Sequence, residues 1–290
     1  METLPRPTMI HVRRQKERLA AFDKNSDCEA THCFDFADLK LPACAAHGRN
    51  FRSCRVLNED RLAAGGRGFD EHGHAEYEIF SVVLAGRLRH ADDLGNGADV
   101  PAGAVQLTSA GTGVRHSERN ASDDDECHLL QIWVEPNEAG LAPSHECRDF
   151  RWLDRPKTLL LSPTAAGGSL RVRAEVYVWG CCVDGEDVEL ASPFGRDAGW
   201  AVAHTTRGAC AACEGLLCVA GGEATTLQRG DTAFVDAAAT VVLRGAARAT
   251  VVVLAFGDAP WAELSVQDKW ARFLDGPGTA SRRLAASLGS

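Results

Sequence analysis

Apolar and polar positions alternate over short runs along much of the chain, and glycine, proline and asparagine divide the runs. Glu78 to Leu84 is rich in Ile, Phe and Val, and Gly86, Gly95, Asn96, Gly97, Pro101 and Gly103 punctuate the next stretch of chain. The pattern predicts strands over 76–84, 87–91, 103–108 and 126–134. Such a series closes into a small sandwich or barrel, and the mouth of a barrel suits a ligand. Upstream, 32–37 and 55–60 read as further strands. Residues 1–30 carry mixed charge and are expected as a peripheral arm, with a short helical segment from Val12 to Phe22.

The second half repeats the style of the first. Strand-like runs fall at 157–162, 169–179 and 199–204, and a further β-series ends in ThrValValValLeuAlaPhe at 250–256. ArgGlyAspThrAlaPheVal at 229–235 sits where ProAlaGlyAlaValGlnLeu sits in the first half, which suggests a duplicated barrel. Between the halves, two prolines and a glycine at 134–143 end regular structure, so the boundary is expected near 140–155. Trp261, Leu264, Trp270, Phe273 and Leu274 then recur at near-helical spacing behind Asp258 and Pro260. The expected organisation is all-β: an arm (1–30), a first barrel (31–150), a second barrel (151–258), and a C-terminal helix with a tail (259–290).

Composition narrows the classes. Of 290 residues 45% are apolar and 24% charged, a globular balance. The net charge of −9 argues against direct grip on nucleic acid, which needs a basic surface, and leaves contact through protein partners open. No apolar run is long enough for a membrane-spanning helix, and the first residues lack the apolar core of a secretory signal, so a cytoplasmic protein, with a nuclear location as a second option, is expected. The 11 cysteines are too sparse for a disulfide scaffold and odd in number. Cys210 and Cys213 form a Cys-x-x-Cys without the second pair that a structural zinc wants, so buried thiols are the simpler reading.

The candidate chemistry lies between Gly66 and Asn120. His72 and His74 are two apart, so on a strand both imidazoles project from one face. His116 and Glu118 repeat that spacing on a second expected strand, and Glu78 stands nearby. Three imidazoles and a carboxylate suit Fe(II), Mn, Ni, Cu or Zn. The second half holds a single histidine, His204, and no such pair, so its barrel is expected to be metal-free. His90, His128, His145 and His204 are expected as solvated residues, and Gln106, Thr108 and Ser109 as candidates to line the barrel mouth.

Several phrases resemble a known family. Gly66 six before His72, Glu78 four after His74, and a Pro101-x-Gly103 turn leading toward His116 and Asn120 resemble the cupin pattern. HisGlyHis at 72–74, AspLeuGlyAsn at 93–96, SerAlaGlyThrGlyValArgHisSerGlu at 109–118 and LeuLeuGlnIleTrpValGluProAsn at 129–137 are similar to the pirin branch, over about 32–150. The resemblance implies two tandem cupin (jelly-roll) barrels, with His72, His74, His116 and Glu118 holding one divalent metal, Fe(II) first among the candidates. Glu78 is then expected as an outer partner that orients a histidine, and as the fallback ligand. The resemblance implies a quercetin 2,3-dioxygenase acting on a flavonol and O₂, releasing carbon monoxide, with Glu118 also serving as base. It equally implies a redox-responsive iron protein acting through transcription-factor partners, and a metal-binding cupin with another small substrate stays open. Gly73 and Ala75 depart from the family's proline and basic residue beside the site, which bears on substrate preference.

Overall fold

The computed structural model describes residues 6–17, 19–23, 28–32, 41, 44, 50–205 and 215–257. The expected C-terminal helix, Cys210, Cys213 and nearly all of the expected strand at 32–37 lie outside the described residues. In chain order the strands are β1 (Met9–Arg13), β2 (Leu19–Asp23), β3 (Cys28–His32), β4 (Cys54–Leu62), β5 (Gly68–His74), β6 (Glu78–Ala85), β7 (Arg87–Asp92), β8 (Gly97–Pro101), β9 (Ala104–Ser109), β10 (Val114–Asn120) and β11 (Cys127–Val134). They continue as β12 (Ser144–Asp149), β13 (Thr158–Ser162), β14 (Leu170–Arg171), β15 (Val176–Val183), β16 (Val188–Ala191), β17 (Gly199–His204), β18 (Leu216–Ala220), β19 (Glu223–Leu227), β20 (Thr232–Asp236), β21 (Thr240–Arg244) and β22 (Ala249–Phe256).

These strands form two barrels, each a four-stranded sheet facing a seven-stranded one. The first pairs β5-β10-β7-β8 with β12-β9-β6-β11-β4-β3-β2, and the second pairs β16-β21-β18-β19 with β1-β20-β17-β22-β15-β13-β14. The all-β, two-barrel reading therefore stands. The helical segment expected over Val12–Phe22 does not: β1 and β2 occupy it, with a 3₁₀ turn at Gln15–Glu17 between them. Ile10 and Val12 alternate along β1, pack on the core of the second barrel, and pair with Val235 and Ala233 of β20, so the start of the expected arm is an edge strand of that barrel. The single run expected at 169–179 is broken between β14 and β15, where the Arg173 amide turns to donate to Glu78 Oε2 at 3.0 Å.

Burial explains the stacking of the barrels. Along β6, Phe80, Val82 and Leu84 point out of the first barrel and join Leu130, Ile132 and Val134 of β11 in a cluster with Val176, Val178, Phe234, Val252 and Phe256 of the second. Strands covered on both faces read as nearly continuous apolar runs, which is why β6 shows so little polar alternation. A second cluster, with Trp200, Val202, Val241 and Leu243, packs among the strands of the second barrel. Inside the first barrel the apolar cluster is smaller, with Leu62, Val83, Leu88, Val100 and Leu129. The same interior carries buried polar side chains, Asp60, Ser81, Gln106, Glu118 and Gln131 among them.

Candidate metal centre

β5 and β10 are antiparallel neighbours, and their register sets His116 directly opposite His72 and Val114 opposite His74. Side chains two apart on a strand share a face, so three imidazoles converge. Ring centroids are 4.7 Å apart for His72–His74 and for His72–His116, and 4.8 Å for His74–His116. One ligand atom of each lies within 4.8 Å of the others. His72 Nδ1 lies 2.7 Å from the Asp70 carbonyl, which can only accept, so this nitrogen carries a proton and Nε2 is the nitrogen left to face an ion. His74 Nδ1 and both ring nitrogens of His116 are buried without a partner. Burial, then the neighbouring His72 and His116, lowers the pKa of His74 well below the ordinary range. Burial, then His72 and His90, takes His116 down to about 3. Both are neutral at pH 7, the form in which imidazole ligates metals. Buried lone pairs with nothing to accept are costly unless an ion takes them, so this donor set fits a transition metal.

A bulge between His116 and Glu118 shifts the register by one, placing Glu118 opposite Phe69. Glu118 is buried, and its carboxylate accepts from Ser81 Oγ at 3.2 Å and from the side-chain amides of Gln106 and Gln131. It shares the barrel interior with the imidazoles but falls outside their cluster of mutually close ligand atoms. Asp60 adds to the polar interior. Its two oxygens are buried without a partner, and burial, reinforced by Glu118 and Glu59, raises its pKa well above the carboxylate range. Trp133 closes one side of the cluster, its ring 4.7 Å from His74, with Tyr77 5.8 Å further along.

Glu78 does not serve the histidines. It faces out of the barrel with Phe80, and its carboxylate accepts from Ser109 Oγ and from the Arg173 amide of the second half. The reason is local: the chain leaves the extended conformation between β5 and β6, with Glu76 at φ 58°, so the phase carried from His74 is lost. Of the expected mouth residues, Gln106 lies inside, Thr108 Oγ1 meets His145 Nδ1 at 3.2 Å, and Ser109 belongs to the Glu78 contact. The solvated reading fails for His90, which is buried 3.2 Å from Asp92, and for His128, buried 2.8 Å from Glu59. Gln131 and Asp60 were not anticipated. For Gln131, a polar residue amid the apolar positions of β11 was a signal; β4, rich in polar residues, offers none for Asp60.

The comparisons agree with this geometry. The family described as Pirin matches residues 12–134. The chain is 41% identical over 182 residues to a protein named quercetin 2,3-dioxygenase of Escherichia coli (strain K12), covering 62% of this chain and 75% of that protein. It is 35% identical over 173 residues to a pirin-like protein of Caulobacter vibrioides, covering 58% and 71%. Among solved structures, a bacterial pirin from Escherichia coli in complex with nickel(II) superposes with a TM-score of 0.70 at 29% identity, over 86% of this chain and 100% of that one. The family match spans β5 and β10, the strands that carry His72, His74, His116 and Glu118, and with the relatives just described it makes the chain a member of the pirin family.

Proposed function

We propose that the first barrel holds one divalent transition metal on His72, His74, His116 and Glu118, with Fe(II) as the first candidate, and that the protein cleaves quercetin-type flavonols with O₂. The observation that carries this reading is the convergence of three imidazoles, His72 half-buried and His74 and His116 buried, with His74 Nδ1 and both His116 ring nitrogens lacking any partner. The name of the Escherichia coli relative supplies the substrate class. When bound, the metal would supply a Lewis-acid centre at which flavonol and O₂ are held together.

The protein's own contribution is preparation. The Asp70 carbonyl accepts from His72 Nδ1 and fixes the ring, leaving Nε2 as the nitrogen open to the metal. Glu118 is the carboxylate available to accept the 3-hydroxyl proton of a flavonol, and the amides of Gln106 and Gln131 with the Ser81 hydroxyl hold it in place before substrate arrives. Trp133 and Tyr77 offer aromatic faces beside the imidazoles, suited to a planar ring system. The test is loss of quercetin absorbance under air with protein loaded in turn with Fe, Mn, Ni and Cu. Turnover that disappears in His72→Ala supports the reading, and absence of turnover with all four metals overturns it.

A further inference from the structure

Beside the first cluster lies a second one that the proposed reaction does not use. His90 and Asp92 on β7 and His145 on β12 bring one ligand atom each within 4.8 Å of the others. The two imidazoles are stacked, with centroids 3.9 Å apart and planes 8° from parallel. Each ring commits one nitrogen: His90 Nε2 lies 3.2 Å from Asp92 Oδ2, and His145 Nδ1 lies 3.2 Å from Thr108 Oγ1. Each leaves the other nitrogen, Nδ1 of His90 and Nε2 of His145, buried without a partner. The His90 side chain is fully buried.

A purely structural role accounts for only part of this. Asp92 anchors the turn that follows β7, where its Oδ1 accepts from the amides of Leu94 and Asn96 and the Asn96 side-chain amide reaches both carboxylate oxygens. That explains the aspartate. It does not explain two stacked, desolvated imidazoles, each with one nitrogen held by an oxygen and the other bare. On His145 this is the arrangement of a metal-binding histidine, with Nδ1 tied to the Thr108 hydroxyl and Nε2 left for the ion; on His90 the nitrogen that can share an ion with Asp92 is Nε2, the ion taking the place of the proton between them. The 3.2 Å between His90 Nε2 and Asp92 Oδ2 is also long for a charge-assisted hydrogen bond, which runs at about 2.7–2.9 Å.

We propose that His90, Asp92 and His145 form a second divalent transition-metal site next to the first. Two imidazoles and a carboxylate select ions such as Fe(II), Co(II), Ni(II) or Zn(II) over Mg²⁺ or Ca²⁺. β7 belongs to the small sheet of the first barrel and β12 is the edge strand of the large one, so the ion ties the two sheets together along that edge. The His90 ring stands 5.3 Å from that of His116, which sets the second charge close to the first centre. The desolvation that brings His145 down to about 4 keeps its ring neutral and ready to ligate at pH 7.

The test is a Co²⁺ titration of the full-length metal-free protein, with bound cobalt counted by elemental analysis after dialysis and ligation followed by visible absorption. The background is His72→Ala/His74→Ala, in which the first centre is broken; His116→Ala serves if that double variant does not fold. The expected result is one bound cobalt in this background, lost when His145→Ala is added. His145 is half-buried on an edge strand, so its removal leaves the fold intact, which far-UV circular dichroism checks. A background protein that binds no cobalt, or holds it regardless of His145→Ala, overturns the second site. One cobalt in the wild type that depends on His145 but not on His72 leaves the second site standing and removes the first.

Discussion

Glu78 and Glu118 are the two carboxylates that compete for the role of fourth ligand, and replacing each by glutamine separates them. Glu78 is 1% exposed and accepts from the Ser109 hydroxyl and the Arg173 amide. In Glu78→Gln one of these acceptors becomes an amide nitrogen, and the natural clash is with the Arg173 N–H, a donor that cannot turn away. Leaving a buried donor unpaired costs about 1–3 kcal/mol. Burial, the largest influence on Glu78, raises its pKa, so removing its charge returns part of that cost and the net falls at the low end, about 1–2 kcal/mol. Glu118→Gln is different. Gln106 Oε1 has no partner, so rotation of that amide offers an acceptor to the new N–H₂, and stability changes little. Loss of a charged ligand, however, should weaken metal binding by more than about 100-fold, since even partners behind a ligand are worth about 10–100-fold. Urea unfolding and competitive metal titration read the two quantities separately. If Glu78→Gln loses the metal while Glu118→Gln keeps it, the facing of these strands has been read the wrong way round.

Two further changes probe the same centre. Gly68 has φ +149°, and a Cβ there would press into the Glu118 backbone carbonyl and come within 2.7 Å of Arg119 Cα, so Gly68→Ala should push β5 off β10; we expect a loss of about 2–4 kcal/mol in urea unfolding together with weakened metal binding, and a neutral variant would refute the close approach. In the metal-free protein, His116 has its pKa lowered from 6.5 to about 3, so the unfolded chain binds the extra proton first and stability falls as pH drops through the window from about 6.5 to about 3; the unfolding free energy from urea titration should decline by up to about 1.4 kcal/mol per pH unit for this histidine, and a flat profile between pH 7 and pH 5 counts against its burial as a neutral base.

How much of this was legible in the sequence depends on whether a residue's neighbours are set by local alternation or by strands meeting in space. His72, His74, His116 and Glu118 were legible because a spacing of two on a strand fixes a shared face. Glu78 was not, since four residues from His74 implies the same face only if the strand runs on, and it stops at the turn around Glu76. His90 carried a usable signal: Leu88 and His90 alternate with Arg87 and Arg89, so the histidine shares the inward face of a leucine. His145 carried none, because it lies on an edge strand paired with Thr108 and meets His90 and Asp92 only from another sheet across a long connection. Gln131 and Asp60 stand at inward positions, but only the pairing of β4 with β11 reveals that both point into the barrel that holds Glu118.

The second barrel has a physical reason to exist beside the first. Asp60, Ser81, Gln106, Glu118 and Gln131 take volume inside the first barrel that apolar side chains would otherwise fill, leaving the small cluster around Leu62, Val83 and Leu129 to stabilise it from within. Its other apolar face, with Phe80, Val82, Leu84, Val105, Leu107, Leu130, Ile132 and Val134, is buried only because the large sheet of the second barrel covers it. At about 1.5–3 kcal/mol for each buried large side chain, that shared layer offsets the cost of several buried polar groups. The second barrel can supply such a layer because its own interior is apolar, built on Trp200, Val202, Val241 and Leu243. Glu78 then has a meaning of its own: it stands on the strand whose outer face forms the shared layer and bonds to Arg173 of the second half, while Ser109, its other partner, lies on the strand that carries Gln106 to Glu118. A disturbance at the junction of the barrels thus has a short route, along β9, to the carboxylate beside the metal centre.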